Sequence, residues 1–85
     1  YPSEVLMAQT WNKELANEIG VSMGQEYVDA DNYGWYGPAM NIHRTAFAGR
    51  NFEYYSEDSL LSGYMAANEM NGSRSICIYE TLCIK

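Results

Sequence analysis

Polar side chains that could do chemistry are concentrated in one stretch of the chain, residues 42–56. Within it, Arg50 offers a planar fork of hydrogen-bond donors, and Glu53 stands three residues later, where it could orient the guanidinium group and offset its burial. The alternative interpretation is a solvated Arg–Glu pair on a loop, and the two residue types alone favour that alternative. Arg50 and Glu53 are therefore candidate binding residues whose role the spacing leaves open.

The other candidates in and beside this stretch have structural explanations. His43 is the only histidine of the chain, and no nucleophilic serine or cysteine pattern accompanies it, so we expect a structural loop histidine. Glu57 and Asp58 could be taken for a pair of catalytic carboxylates, but adjacent residues at a helix start point in different directions, and helix capping explains both. We therefore predict no catalytic role for His43, Glu57 or Asp58.

A metal centre or cofactor is not expected either. Zinc sites need about four ligands, and the chain has one histidine and two cysteines, Cys77 and Cys83, both near its end. The two thiols could close a small loop in an oxidising compartment or stay reduced in the cytoplasm; we favour two free thiols. We predict no metal ligands and no cofactor.

Length and composition limit the class of protein. Eighty-five residues make at most one domain, and 47% hydrophobic with 19% charged residues is typical of a globular chain. A net charge of −6 argues against nucleic acid or an anionic membrane as partner. No apolar run is long enough to cross a membrane and no signal peptide is recognisable, so the location stays open and we favour the cytoplasm. Because the chain opens on Tyr1 and not on Met, we also expect that residues upstream were removed or not included.

The first predicted element is a helix over residues 11–27, with Thr10 as its N-cap. Its apolar residues recur at i, i+4 spacing, and a second stripe consists of small residues. The apolar stripe is Trp11, Leu15, Ile19 and Met23, and the small stripe is Ala16, Gly20 and Gly24. Each glycine in a helix costs about 1 kcal/mol relative to alanine, so a closely packed neighbour is expected on the small stripe.

The rest of the chain alternates between strand and helix patterns. A turn over residues 29–34 leads to a short buried strand at 35–41, which Pro38 weakens, and then to the polar loop. Ser56 or Asp58 caps a second helix, which ends at Asn71-Gly72, and residues 75–84 favour a strand. The apolar face of the second helix is Leu60, Leu61, Tyr64, Met65 and Met70. This order is typical of a parallel α/β protein, in which loops leaving the carboxyl ends of strands carry the site.

Several segments together resemble glycoside hydrolase family 3, and in particular its β-glucosidase type. The matching segments are Tyr1-Pro2-Ser3-Glu4, Thr10-Trp11-Asn12, Gly37-Pro38-Ala39-Met40-Asn41, Ile42-His43-Arg44 and the run from Gly49 to Asp58. The resemblance implies an α/β fold: a helix–strand–helix segment of the (β/α)8-type barrel that forms the family's first domain, helix-rich on its own. It also implies an enzyme that hydrolyses terminal β-linked glycosyl residues with retention, through two carboxyl groups.

The resemblance also assigns roles to residues. The family's nucleophile lies well downstream of the matching segment, and its acid/base lies further still, so we expect this chain to be inactive alone. The arginine of the family's Gly-Arg motif corresponds to Arg50, which with Glu53 becomes the expected contact to a β-glucoside sugar in the parent enzyme. A planar guanidinium group can bind two vicinal hydroxyls of a sugar ring.

The resemblance stops after Gly72, so we divide the chain into a family 3 segment, residues 1–72, and a non-family tail, residues 73–85. The family continues there with Tyr-x-Lys-His-Phe-Ala-Leu. One choice of codons for the tail, read one nucleotide later, gives Tyr-Met-Lys-His-Phe-Ala-Leu. We therefore hypothesise a frameshifted tail and a truncated product, which sequencing the gene past the codon of Lys85 would reveal.

Two alternatives to a truncated enzyme remain at this point. The chain could be a stand-alone binding or signalling protein that reuses the α/β segment, or a piece that complements the rest of a split enzyme. In each case a barrel segment leaves strand edges and helix faces uncovered, so we expect a homo-oligomer. Its predicted interface is the strand at residues 35–41 or the tail at residues 76–84.

Overall fold

The computed structural model describes residues 1–76 and the backbone of the strand at 79–80. In chain order the elements are α1 (Glu4–Ala8), α2 (Lys13–Asp29), β1 (Gly34–Trp35), a 3₁₀ turn (Asn51–Glu53), α3 (Ser59–Arg74) and β2 (Tyr79–Glu80). Two long helices, α2 and α3, pack side by side, and the described part of the chain is helix-rich, as predicted. None of its helices is long and apolar enough to span a bilayer.

The beginning of α2 differs from the prediction at Trp11. The N-cap is Asn12, whose side-chain Oδ1 accepts from the Leu15 N–H at 3.0 Å. Trp11 has φ 53°, in the left-handed region, and is 71% exposed, so it can belong neither to the helix nor to its apolar face. The assignment of Thr10 as the cap was wrong: its hydroxyl oxygen accepts from the Asn12 N–H at 3.1 Å and shapes the turn before the helix.

Helix α1 was not predicted, although it is properly capped. The Ser3 hydroxyl oxygen accepts from the Leu6 N–H at 3.4 Å, and Glu4 stands in the first turn, where its charge is favourable. The helix buries Met7 and Ala8. Five residues are too few for a helical pattern of apolar residues to be recognised. The sequence Ser3-Glu4 was the one signal of a helix start.

The small stripe of α2 has the close neighbour that the sequence predicts, and this neighbour is α3. A Cβ atom added at Gly20 would collide with the Glu69 carbonyl oxygen, and one added at Gly24 would lie 2.9 Å from the Ser73 carbonyl oxygen. On the opposite helix, Gly72 fits against the backbone of α2 in the same way. The two helices therefore meet backbone to backbone, and side chains larger than hydrogen would separate them.

Helix α3 begins as predicted and ends later than predicted. Of the two candidate caps, Asp58 serves: its Oδ1 accepts from the N–H groups of Leu60 at 2.8 Å and Leu61 at 3.2 Å. The predicted stop at Gly72 was wrong, because the helix continues to Arg74. Gly72 is buried against α2, so its small size serves helix packing and not chain termination.

The predicted strand at 35–41 is mostly irregular. Only Gly34 and Trp35 form β1, which pairs in parallel with Tyr79 and Glu80 of β2. Beyond them the chain passes through a cis Gly37–Pro38 peptide, with Pro38 buried. The turn predicted over residues 29–34 is confirmed in part: Ala30 and Asp31 form it, whereas Asp29 belongs to α2 and Gly34 to β1.

The predicted tail strand is confirmed in part. Ser75 and Ile76 form a turn after α3, and β2 follows two residues later. The parallel pairing of β1 and β2 around α3 makes one β-loop-α-β unit, in agreement with the α/β order. Cys77, Cys83 and the predicted free thiols lie outside the described residues.

The core lies between the three helices and the end of the polar loop, and the apolar face of α3 is divided. The buried cluster consists of Met7, Ala8, Ala16, Ile19, Tyr55, Leu61, Met65 and Ala66. Leu60, by contrast, is 78% exposed and Tyr64 49% exposed. Together with Trp11 they line an apolar surface groove of about 260 Å³, which the small core leaves uncovered.

Two glycine substitutions test whether backbone contact between α2 and α3 holds the fold. Gly20→Ala would force a methyl group into the Glu69 carbonyl, so we expect the free energy of unfolding to fall by roughly 2 to 3 kcal/mol. Gly63→Ala is the matched control: it also lies within a helix, nothing lies near its added Cβ, and helix propensity should stabilise the protein by up to about 1 kcal/mol. Urea unfolding measures both. Equal effects of the two substitutions would contradict the packing described.

Candidate functional site

The polar loop at residues 42–56 is closed by hydrogen bonds across its base. The His43 N–H donates to the Ser56 carbonyl oxygen at 3.2 Å, which joins the two ends of the loop. Inside it, the Asn51 side-chain amide donates to the Thr45 carbonyl oxygen at 2.8 Å and holds the start of the 3₁₀ turn. The predicted loop is therefore a fixed segment with its own internal bonds.

The structure brings the two predicted site residues together. Arg50 Nε forms an ion pair with Glu53 Oε1 across the 3₁₀ turn, at i, i+3 spacing. The Arg50 side chain is 45% exposed and that of Glu53 25% exposed, so the guanidinium group is oriented by the carboxylate and remains accessible on one side. This arrangement can bind a polar ligand that offers neighbouring acceptor oxygens.

The other loop candidates have structural roles. His43 Nε2 lies 3.2 Å from the Tyr54 carbonyl oxygen, and its ring is tilted against the Tyr54 ring at 6.1 Å between centroids. Asp58 caps α3, and Glu57 is exposed beside it. Among the described residues no group of three His, Cys, Asp or Glu side chains is arranged to hold a metal ion.

A cleft that the sequence did not indicate lies next to the Arg50–Glu53 pair. Its volume is about 310 Å³, its walls are largely apolar, and three carboxyl groups from three parts of the chain open onto it: Glu4, Glu53 and Glu69. These glutamates are far apart in sequence, and neither helical nor strand spacing relates them. No sequence signal short of the fold itself could have grouped them.

Each of these carboxyl groups is engaged within the protein. The Glu4 Oε1 accepts from the Ala39 N–H at 3.2 Å, and Glu53 is paired with Arg50. Glu69 is 2% exposed, and its Oε2 accepts a hydrogen bond from the Tyr55 hydroxyl. The cleft therefore contains acid groups that bind other parts of the chain.

Glu4 has an unusual protonation state. Its Oε2 is buried without a hydrogen-bond partner among the described residues. Burial raises the pKa of the Glu4 carboxyl to about 8; the nearby charges of Glu69 and Glu53 add to the rise, and the Ala39 N–H opposes it. At neutral pH this carboxyl group is therefore mainly protonated.

Comparison with known proteins places this segment. No family model matches the chain. It is 44% identical over 81 residues to β-glucosidase A of Butyrivibrio fibrisolvens and 43% identical over 81 residues to a β-glucosidase of Ruminococcus albus. Each match covers 95% of this chain, and respectively 10% and 9% of the relative.

A solved structure agrees with both relatives. The fold superimposes on β-glucosidase 3B of Thermotoga neapolitana, in complex with α-D-glucose, with a TM-score of 0.95 and 44% identity over 99% of this chain and 12% of that one. The chain is therefore similar to one segment of β-glucosidases, in agreement with the resemblance to glycoside hydrolase family 3. It spans about a tenth of the length of the curated relatives that it matches.

These matches confirm the resemblance to family 3 β-glucosidases that the motifs indicated. The matches cover 95% of the chain and so extend past Gly72, while the domain boundary placed there stays a prediction. The roles of Arg50 and Glu53 also stay predictions, although the two side chains do meet. The motifs located the polar loop; the carboxyl-lined cleft beside it became visible only in three dimensions.

The raised pKa of Glu4 predicts how stability depends on pH. Between pH 4.5 and pH 8 the folded state binds more protons than the unfolded state, so the free energy of unfolding falls as pH rises through this window. Because the carboxyl is partly solvated, we expect a loss of roughly 1 to 2 kcal/mol, less than full linkage would give. Urea unfolding at pH 5, 7 and 9 measures it.

Glu4→Gln should remove most of this loss, because the amide does not titrate. Glu18→Gln, which changes an exposed residue of α2, should leave the pH dependence as in the unsubstituted protein. If the free energy of unfolding depended on pH in the same way in the unsubstituted protein, Glu4→Gln and Glu18→Gln, this would contradict the buried, protonated state of Glu4.

Proposed function

We propose that this chain is a sugar-binding segment of the (β/α)8-type barrel domain of a family 3 β-glucosidase. In that role Arg50 and Glu53 contact hydroxyls of a terminal β-linked glycosyl residue, which the complete enzyme hydrolyses with retention. The observation that carries the proposal is the Arg50–Glu53 ion pair, formed within a fold that matches a β-glucosidase structure at a TM-score of 0.95.

The geometry of the pair suits a sugar ring. Two adjacent hydroxyl groups of a pyranose present oxygen acceptors at the spacing of a guanidinium fork, and a charged donor strengthens each bond. Glu53 holds the fork through Nε, so less side-chain entropy is lost when a sugar binds. The partial exposure of Arg50 gives a ligand access to it.

Two features support a place in a barrel. The β-loop-α-β unit formed by β1, α3 and β2 has parallel strands, which is the repeating unit of such barrels. The polar loop follows the carboxyl end of β1, and barrel enzymes build their sites from the loops at that end.

We infer that the segment does not catalyse hydrolysis by itself. Retaining hydrolysis needs two carboxyl groups about 5 to 5.5 Å apart on either side of the glycosidic bond. The carboxyl groups of the cleft are committed to Ala39, Arg50 and Tyr55 instead. The division into residues 1–72 and a frameshifted tail belongs to the same proposal.

Transfer into a complete enzyme tests the sugar contact. In a chimera, residues 1–72 replace the corresponding segment of the Thermotoga neapolitana β-glucosidase 3B, which keeps its own sequence after that segment. We expect measurable hydrolysis of an aryl β-glucoside, and Arg50→Ala should lower kcat/KM of the chimera about 100-fold, since bonds to a charged group are lost. The chain alone should show no hydrolysis above its own Arg50→Ala variant.

Arg44→Ala is the matched control, because Arg44 is an exposed arginine of the same loop. We expect its kcat/KM in the chimera to stay within about twofold. Equal effects of the two arginine substitutions would contradict the sugar-binding role of Arg50. Hydrolysis by the chain alone that disappears with Arg50→Ala would contradict the inferred inactivity.

We also propose that the chain alone forms a homo-oligomer, most simply a dimer. The exposed groove of Trp11, Leu60 and Tyr64 supports this, because apolar surface left uncovered by a small core favours association. This surface differs from the interface expected from the sequence, at residues 35–41 or 76–84. Light scattering from 10 to 500 µM should show mass rising with concentration. Leu60→Glu should weaken association at least tenfold, and an acidic residue is favourable in the first turn of α3. A protein that is monomeric at all concentrations and unfolds cooperatively would contradict the proposal.

A further inference from the structure

Glu69 is a carboxyl group in an unusual place. It lies in the second half of α3 and is 2% exposed, on the buried face of that helix. Burial of a carboxyl group is costly unless it is hydrogen-bonded. Its presence therefore calls for a bond that an apolar residue could not make.

That bond goes to the end of the polar loop. The Tyr55 hydroxyl donates to Glu69 Oε2, and Tyr55 is itself 2% exposed, the largest fully buried side chain among the described residues. A hydrogen bond between two buried groups, shielded from water, fixes direction as well as distance. It attaches the loop to α3 from inside the core.

The helix end of this bond is rigid. The Glu69 carbonyl oxygen touches Gly20 of α2, so the backbone of Glu69 is held where the two helices are closest. Nearby, the Asn17 side-chain amide donates to the Asn68 carbonyl oxygen at 3.1 Å. The Glu69 side chain thus extends from the best-anchored part of the helix pair.

The loop end of the bond is connected directly to the Arg50–Glu53 pair. Two peptide units separate Glu53 from Tyr55, and between them Tyr54 is extended, with its N–H donating to the Asn51 carbonyl oxygen at 3.2 Å. An extended backbone whose amide is hydrogen-bonded has little freedom to change the distance between the residues on either side of it. A change in the position of Tyr55 is therefore expected to change that of Glu53 and its ion pair.

We propose that Glu69 is a positioning residue that, through Tyr55, holds the Arg50–Glu53 pair in its binding geometry. The role assigned to Arg50 rests on the proposed function, whereas the positioning can be measured without any sugar. Glu69 contacts no ligand in this proposal.

The test follows the Arg50 side chain by NMR in the intact 85-residue chain. The chain has three arginines, Arg44, Arg50 and Arg74, so three Nε–Hε resonances are expected, and Arg50→Lys identifies the one of interest. Because its Nε is paired with Glu53, the Arg50 Hε proton should exchange slowly with water, and the other two give internal references.

Tyr55→Phe removes the hydroxyl and little else. We expect the Arg50 Hε proton to exchange about tenfold faster or more, while amide resonances of α2 and α3 stay close to their original positions. Tyr54→Phe makes the same chemical change one residue away and should leave Arg50 unchanged. Glu69→Gln keeps an acceptor oxygen for the Tyr55 hydroxyl and should preserve slow exchange.

Unchanged Arg50 exchange in folded Tyr55→Phe protein would overturn the proposal. If that variant does not fold, Glu69→Asp is used instead, because it withdraws the same carboxylate by one methylene group. Exchange of the Arg50 Hε proton is again measured and is expected to become faster. Failure of both to fold would also overturn it, since the bond would then hold the whole core and not the loop in particular. Equal effects of Arg50→Ala and Arg44→Ala on kcat/KM of the chimera would refute the proposed function while leaving this result intact.

Discussion

The close approach of α2 and α3 is the contact on which the rest of this structure depends. Gly20 and Gly24 on one helix and Gly72 on the other remove the side chains that would separate the two backbones. The helix pair fixes Glu69, Glu69 binds Tyr55, and Tyr55 ends the loop that carries Arg50. If Glu69 positions the loop as proposed, a contact between small residues determines where a charged side chain stands at the surface.

The carboxyl groups show how the segment uses charge. Glu4 and Glu69 bind an amide and a hydroxyl from inside a mostly apolar cleft, and one of them is kept protonated by burial and by its acidic neighbours. Both fasten the chain on either side of the Arg50–Glu53 pair, at Ala39 and at Tyr55. In a segment that spans about a tenth of its relatives' length, these acid groups therefore bind other parts of the chain.

Local sequence rules predicted those features that neighbouring residues determine. The glycine stripe implied a partner helix, Asp58 marked a helix start, and the i, i+3 spacing of Arg50 and Glu53 matched an ion pair. The predictions were wrong where the folded structure overrides local preference. Trp11 has left-handed backbone and lies outside the helix. Gly72 continues its helix because it packs against α2. The cleft of three glutamates could not be predicted, because only the folded chain brings them together.

Native-state hydrogen exchange of the isolated chain is the most direct test of the helix contact. If close packing over the glycines unites α2 and α3, the slowest amides of both helices share one opening free energy, and Gly20→Ala lowers it equally in both. Amides of α3 that exchange at the rate of an unfolded peptide while those of α2 stay protected, or a Gly20→Ala effect confined to α2, would contradict it.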